Sequence, residues 1–454
     1  MFHLSIVWLI YCWASREISV IVFPMIDKQL NYLTHLHRFE KIKPGLQTML
    51  SLMQALGNPQ TKFSSIHIAG TNGKGSTAAF IASILQQSKY HTGLYTSPHL
   101  CSFPERVVID GQPITDTHLS HLISQTRAAA HHAHLTPTFF EFTTALAFLH
   151  FAAQKIDIAV IEVGMGGDLD ATNVIAPLLS IITNVTIDHT EWLGRTRPTI
   201  AQRKAGIIKP GVPLVTAETN PSICSFFASR CSHLNSPFYS VSSLLTTIPE
   251  QNTLDGQSFA ASGIINDTYQ ISLLGPHQIT NAGTAITAAF VLKKSLPAIT
   301  RQTIHQGLAN AKWPGRLDIV SRDPFILLDG AHNDAGIASL SNALDTGPFP
   351  PPDTLVVGLK ADTNPQPIIK KIAPRFRRII VTQANYNPLP ASQLISLFNP
   401  RQSSLHAIAD PRQALLFAQQ ALRPNNLLLV TGSLYLIGDV LVTFKKPPCS
   451  QSGQ

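Results

Sequence analysis

Charge is scarce in this 454-residue sequence: Asp, Glu, Lys and Arg make up 13% of it, while 44% is hydrophobic. That balance excludes a self-repelling disordered chain and points to a globular protein. Cysteine is scarce too, with Cys12, Cys101, Cys224, Cys231 and Cys449 forming no C-x-x-C pair. Such a set excludes a disulfide framework and a structural zinc site and suits a reducing compartment, so a cytoplasmic location is expected. The formal net charge is +8, yet no basic run with interleaved aromatics occurs. Small anions, rather than nucleic acid, are therefore the expected partners.

Long apolar runs are also missing, apart from the first 24 residues, MFHLSIVWLIYCWASREISVIVFP. Arg16 and Glu17 interrupt that run before the roughly 20 residues a bilayer needs. It also lacks the leading basic residue of a signal peptide. No membrane partner is expected. The preferred reading makes residues 1–24 an extension, with translation beginning at Met25.

What the chain has is length enough for two domains and a regular alternation of strand-like and helical patterns, the rhythm of a parallel sheet flanked by helices. Strands are predicted at 64–69, 92–96, 157–162, 178–184 and 212–217, with helices at 76–88 and 141–154, where apolar residues recur three and four apart. Residues 240–273, richer in Ser, Thr and Gly, read as a small appended antiparallel sheet. The rhythm restarts at 325–329, 354–358, 378–382 and 427–432, giving a second, smaller α/β domain. The segment 347–353, GPFPPPD, reads as a surface loop, and 445–454 as a frayed tail.

One stretch carries chemistry by itself. In HIAGTNGKGSTAAF (67–80) a strand ends near Ala69 and a helix opens at Ser76. The turn between them offers consecutive N–H groups and a helix N-terminus to an anion. Gly70, Gly73 and Gly75 permit close backbone approach, and Lys74 supplies a cation for phosphates. The spacing departs from the usual phosphate loop because Gly75 separates the lysine from the hydroxyl residue. A glycine-rich turn without a ligand is the alternative at this point. Glu162, Asp188 and His189 lie at the ends of later strands, where open α/β sheets place ligands. Glu162 is the first candidate for magnesium, which takes a few carboxylate or hydroxyl oxygens and completes its shell with water and phosphate.

Ten motifs in order then make the resemblance specific: GTNGKGST, YTSPHL, FPERVVIDGQPI, TFFEFTTALAF, EVGMGGDLDATN, DHTEWLGRT with IAQRKAGIIKPG, LLGPHQITNA, WPGRLD, LLDGAHN and VTGSLYLIGDV. From Met25 to about residue 440 the chain resembles the dihydrofolate synthase/folylpolyglutamate synthase family of Mur-type ligases. The resemblance implies a Mur-ligase-like P-loop ATPase domain over 25–300 and a Rossmann-like glutamate-ligase domain over 301–454, acting as a monomer. It implies that ATP phosphorylates a carboxylate of dihydropteroate or of a folate's terminal glutamate, and that L-glutamate displaces the phosphate. Phosphoryl transfer to a carboxylate gathers negative oxygens, so the site must neutralise charge.

By the same resemblance Thr71, Asn72, Gly73, Lys74, Gly75 and Ser76 hold the ATP phosphates, and Asn281, Arg316, Asp329 and His332 close over the nucleotide. Ser97 and Glu162 ligate one Mg2+ and His189 a second. Lys204 joins them as a carbamate, because a free ammonium cannot ligate a cation. Lys74, Lys204 and His189 are the expected catalytic residues. Thr138, Phe139, Phe140, Asp170 and Ala171 receive the pterin, for which phenylalanine faces and a carboxylate are suitable partners. Two positions depart from the family pattern: Arg203 stands where glutamate is usual, and Asp168 where many members carry arginine. A Mur-type ligase acting on a cell-wall precursor and a silent nucleotide-binding module are the rival readings. The first should lack TFFE and DATN, and the second should lose Lys74, Glu162 or His189.

Overall fold

The computed structural model describes Tyr32, Leu33, Leu36 and residues 45–399 and 404–444. The expected extension at 1–24 and the tail at 445–454 lie outside the described residues. Eight strands form the first sheet: β1 (Ser64–Ala69), β2 (Thr92–Tyr95), β3 (Val107–Ile109), β4 (Gln112–Pro113), β5 (Ile158–Glu162), β6 (Leu179–Ile182), β7 (Leu214–Thr216) and β8 (Phe238–Ser240). Their order is β4-β3-β2-β5-β1-β6-β7-β8. The β2–β3 and β3–β4 pairings are antiparallel and the rest parallel. Strands covered on both faces need near-continuous apolar runs, which is why β1, β5 and β6 were readable from sequence. From β1 the chain passes to β2 on one side, whereas β5 leads to β6 across β1. That reversal opens a crevice at the C-terminal ends of β1, β5 and β6.

The helices that matter to this crevice are α1 (Lys74–Gln87), α2 (Phe139–Ala153), α3 (Arg197–Lys204), α4 (Pro276–Leu292), α5 (Arg301–Asn310), α6 (Asp334–Thr346) and α7 (Leu434–Phe444). Residues 76–85 of α1 are all buried, because α1 lies between the sheet and the pair α4 and α5. The antiparallel strands β9 (Leu245–Thr253), β10 (Gly256–Gly263) and β11 (Asp267–Ile271) form the small sheet expected at 240–273. Phe259, Ala261, Tyr269 and Ile271, two apart on their strands, turn into the same core as α1.

A second sheet has the order β12-β13-β17-β14-β15-β16, from β12 (Asp318–Arg322), β13 (Phe325–Asp329), β14 (Pro352–Val357), β15 (Arg378–Val381), β16 (Ser404–Ala407) and β17 (Leu427–Thr431). Only β12 pairs antiparallel, and apolar clusters cover both faces.

Two expectations are corrected. The division at 300/301 cuts through a packed unit, since Ile304, Leu308 and Ala311 share a core with Ile66 and Phe80. The cause is Gly307: a Cβ there would lie 2.5 Å from Ile84 Cα, so α5 rests on the backbone of α1. The first domain therefore runs through Ala311. The loop expected at 347–353 ends early, for Pro352 opens β14 and buried Asp353 accepts from Arg377 Nε at 3.0 Å. Among the described residues no helix is long and apolar enough to cross a membrane.

Burial pushes the imidazole of His67 down to about 3 and that of His150 to about 4. Below the ordinary histidine value of about 6.5 the unfolded chain binds protons that these rings refuse, so stability falls as pH drops, by on the order of 1.4 kcal/mol per ring per pH unit. The thermal midpoint should fall by several degrees between pH 6.5 and pH 5. A flat midpoint across that window in a pH series of melting curves would contradict the assignment of both rings as neutral.

Candidate active site

The loop after β1 is held by the segment that follows β6. Thr71 Oγ1 donates to Thr186 O and accepts from Thr186 N–H, each at 3.1 Å. Asn72 N–H donates to Asn184 Oδ1 at 3.0 Å, and Thr183 Oγ1 donates to Asn72 O at 2.7 Å. Gly73 precedes α1 at φ 83°, a left-handed conformation, with Asn281 Oδ1 only 2.5 Å from where a Cβ would stand. Ser76 Oγ accepts from Gln278 Nε2 at 3.2 Å, and Gln278 Oε1 accepts from Asn281 Nδ2 at 2.9 Å. The unusual Gly75 has its own explanation. A Cβ there would lie 2.5 Å from Trp313 Cζ2, so the extra glycine admits an indole from the interdomain linker against the start of α1.

Lys74 Nζ donates to Gly70 O and Thr71 O, both at 3.2 Å, and stands 4.0 Å from Glu162 Oε1. Glu162 closes β5, is buried, and accepts the Ser97 N–H at 3.3 Å through Oε2. Burial raises its carboxyl, opposed by Lys74, the Ser97 amide, Arg316 and Arg106 in that order. Glu162 and Ser97 thus bring hard oxygen donors next to a phosphate loop, a set that fits Mg2+. Among the described residues no three His, Cys, Asp or Glu side chains converge, so such an ion would draw on water and phosphate oxygens as well.

Across the crevice, His189 at φ 48° is half exposed, its Nε2 4.0 Å from Asp188 Oδ1. Desolvation holds its imidazole below the ordinary value. Lys204 ends α3 almost fully buried; burial, then the neighbouring Lys74 cation, pushes its ammonium down to about 7 against the pull of Asp188. Asp188 Oδ2 in turn accepts from Asn333 Nδ2 at 2.7 Å. The Asn333 amide also exchanges bonds of 3.1 and 3.3 Å with that of Asn72, and its Oδ1 caps α6 by accepting from Gly336 N–H at 2.8 Å. One side chain of the second domain therefore touches both the phosphate loop and Asp188. Sequence reasoning missed it: an Asn ahead of a helix signals a cap, and its tertiary partners carry no local signal.

The remaining residues expected at the nucleotide lie at the linker and at the end of β13. Asp329 is buried, and its two oxygens accept from Leu317 N–H and Ala331 N–H, each at 2.9 Å. These bonds fasten the turn bearing Arg316 to the end of β13. His332 Nδ1 donates to Gly330 O at 2.8 Å, which leaves Nε2 as the acceptor of a neutral ring that desolvation keeps below its usual pKa.

The five expected pterin residues divide. Thr138 caps α2, with Oγ1 accepting from Glu141 N–H at 3.3 Å. Phe139 lies under the Arg106 guanidinium, 5.4 Å from ring centre to Cζ, whereas Phe140 packs under Gly164, whose added Cβ would be 2.4 Å from Phe140 Cζ. Asp170 is buried and folds the 163–173 turn upon itself, accepting from Met165 N–H at 2.9 Å and Thr172 N–H at 3.0 Å. Ala171, also buried, opens the short helical turn Ala171–Val174.

The two departures from the family pattern face each other. Arg203 donates to Asp168 Oδ2 at 2.7 Å, and Asp168 N–H donates to Arg203 O at 2.9 Å. Gly206 allows the approach, since its added Cβ would lie 2.4 Å from Asp168 Cα. The pair ties the 163–173 turn to the helix that carries Lys204. Exposed pairs contribute little stability, roughly 0–1 kcal/mol, so the effect is on position. Asp168→Arg should lower kcat/KM by about three- to tenfold, and Asp168→Arg with Arg203→Glu should regain most of it. A double variant no better than the single in steady-state kinetics would refute the pairing role.

A phosphate-loop domain joined by a short linker to an α/β domain that reaches back onto the loop defines the Mur ligases. The model of the Mur ligase middle domain matches residues 68–289, and that of the Mur ligase glutamate ligase domain residues 315–434. The chain is 36% identical over 408 residues to the dihydrofolate synthase/folylpolyglutamate synthase of Bacillus subtilis (strain 168), covering 88% of this chain and 94% of that one. It is 37% identical over 430 residues to the folylpolyglutamate synthase of Lacticaseibacillus casei, covering 91% and 99%. Its fold superposes with a TM-score of 0.84 on Mycobacterium tuberculosis folylpolyglutamate synthase solved with ADP and AMPPCP, at 28% identity over 94% of this chain and 100% of that one. The chain belongs to the dihydrofolate synthase/folylpolyglutamate synthase family.

Proposed function

We propose that this protein joins L-glutamate to dihydropteroate, giving dihydrofolate, and to the terminal glutamate of a (tetrahydro)folate, giving folylpolyglutamate, at the expense of ATP. The observation that carries the reading is the convergence of Lys74, Glu162 and Asp188, from three strand ends of one domain, with Asn333 of the other.

An acceptor carboxylate oxygen attacks the γ-phosphorus as the bond to ADP breaks. The glutamate nitrogen then attacks the acyl carbon, loses a proton, and inorganic phosphate departs. The N–H groups at the start of α1 and the Lys74 ammonium take up phosphate charge through both steps. Glu162 and Ser97 would hold one Mg2+ and His189 a second, and the bound ions would neutralise phosphate oxygens. Lys204 belongs to this reading as a carbamate: its neutral amine adds carbon dioxide and releases a proton. Asn281, Arg316, Asp329 and His332 serve the nucleotide, and closure of the second domain excludes water from the acyl phosphate. Phe140 and the Asp170–Ala171 turn serve the pterin, with Thr138 and Phe139 at the start of α2. A monomer in the cytoplasm acting on small molecules, with neither nucleic acid nor membrane as partner, completes the proposal.

ATP- and Mg2+-dependent phosphate release with L-glutamate tests it, with dihydropteroate and tetrahydrofolate compared as acceptors and products identified by mass. One glutamate gained on each acceptor is the expected result. Gain on one alone would narrow the activity to that acceptor. Silence with both would overturn the folate reading and direct the assay to cell-wall precursors.

A further inference from the structure

His67 is fully buried on β1, four residues before the phosphate loop, and no step above uses it. Its Nε2 lies 2.8 Å from Thr172 Oγ1. The Thr172 hydroxyl proton is committed to Asp170 Oδ1. Thr172 can therefore only accept from the ring, which fixes His67 as the Nε2–H tautomer. Its other nitrogen, Nδ1, is buried with no hydrogen-bond partner among the described residues. An orphaned buried acceptor is costly, so the ring's place rests on the bond it donates. The relay continues through Asp170, which holds Met165 N–H and Thr172 N–H. Beyond it, Lys209 Nζ donates to Asn173 O at 3.0 Å and secures the far end of the turn.

We infer that His67 is a positioning residue for the acceptor: through Thr172 and Asp170 it sets the 163–173 turn against the strand that leads into the phosphate loop. The inference rests on the reading of that turn as the pterin side of the site. Deleting the donor frees the turn while the phosphate loop keeps its own anchors at Thr183, Asn184 and Thr186. Acceptor binding is thus the property that should suffer.

Steady-state kinetics of the full chain test this. His67→Leu should raise the acceptor KM about tenfold and leave the ATP KM within about twofold, a split that general loosening of the fold would not produce. His67→Gln, which keeps an N–H donor near the Nε2 position, should return the acceptor KM to within about threefold of wild type. Thr172→Val cuts the relay at its next member and should give the same split even if His67→Leu fails to fold. Equal rises in both KM values, an unmoved acceptor KM in Thr172→Val, or a Gln variant no better than Leu would overturn the inference. Wild-type chain without any folate-dependent turnover would sink the functional reading and this inference together; turnover with an unmoved acceptor KM sinks only the inference.

Discussion

Lys74→Met is expected to lower kcat/KM by roughly 10²–10³-fold while the chain stays folded. The ammonium lies within 3.2 Å of two carbonyls of the phosphate loop and 4.0 Å from Glu162, where transferred-phosphate charge would accumulate. Without it Glu162, buried at the end of β5, loses the strongest influence holding its carboxyl down. The methionine stem still packs beside the loop, whose remaining bonds run through Thr71, Asn72 and Ser76. Kinetics and a melting curve on one sample check both halves. Activity within tenfold of wild type would mean that this loop does not carry the phosphates in the transition state.

Lys204→Met should cost activity on a similar scale, about 10²-fold or more. Charged and unmodified, the buried Lys204 would face the Lys74 cation as a repulsive pair, which together with burial pushes its ammonium down to about 7. Addition of carbon dioxide turns one of the two into an anion and makes the pair complementary. Wild-type activity should therefore fall when carbon dioxide is stripped from the buffer and return on adding bicarbonate, with no such response in the variant. A ¹³C spectrum under labelled carbon dioxide should show a carbamate resonance that Lys204→Met lacks. An active variant, or a wild-type spectrum without that resonance, would reject the modification.

Much of this architecture was legible because strands covered on both faces must be apolar from end to end. β1 and β13 fall where the sequence reading put them, at 64–69 and 325–329. The domain boundary was not, since the pattern of α5 says that a helix forms and nothing about which core receives it; Gly307 decides that against Ile84. Within the site, residue types were readable and their engagements were not. Asp170 and Asp329 stand where carboxylates were expected, yet each has both oxygens bonded to the protein's own N–H groups. Asp168 and Arg203 read in sequence as two separate departures, and only the fold, bringing residues 35 apart into contact, makes them one reversed ion pair. Gly75 looked like a phosphate-loop anomaly; its reason, Trp313, lies in the linker between the domains.

Isotope transfer tests the central claim most directly. Dihydropteroate labelled with ¹⁸O in its carboxylate would be turned over with ATP, Mg2+ and L-glutamate, and the released phosphate weighed. The route through an acyl phosphate predicts dihydrofolate and phosphate carrying one ¹⁸O, because the oxygen that attacks phosphorus leaves with it. Product formed with unlabelled phosphate, or ATP hydrolysed without product, would contradict the account.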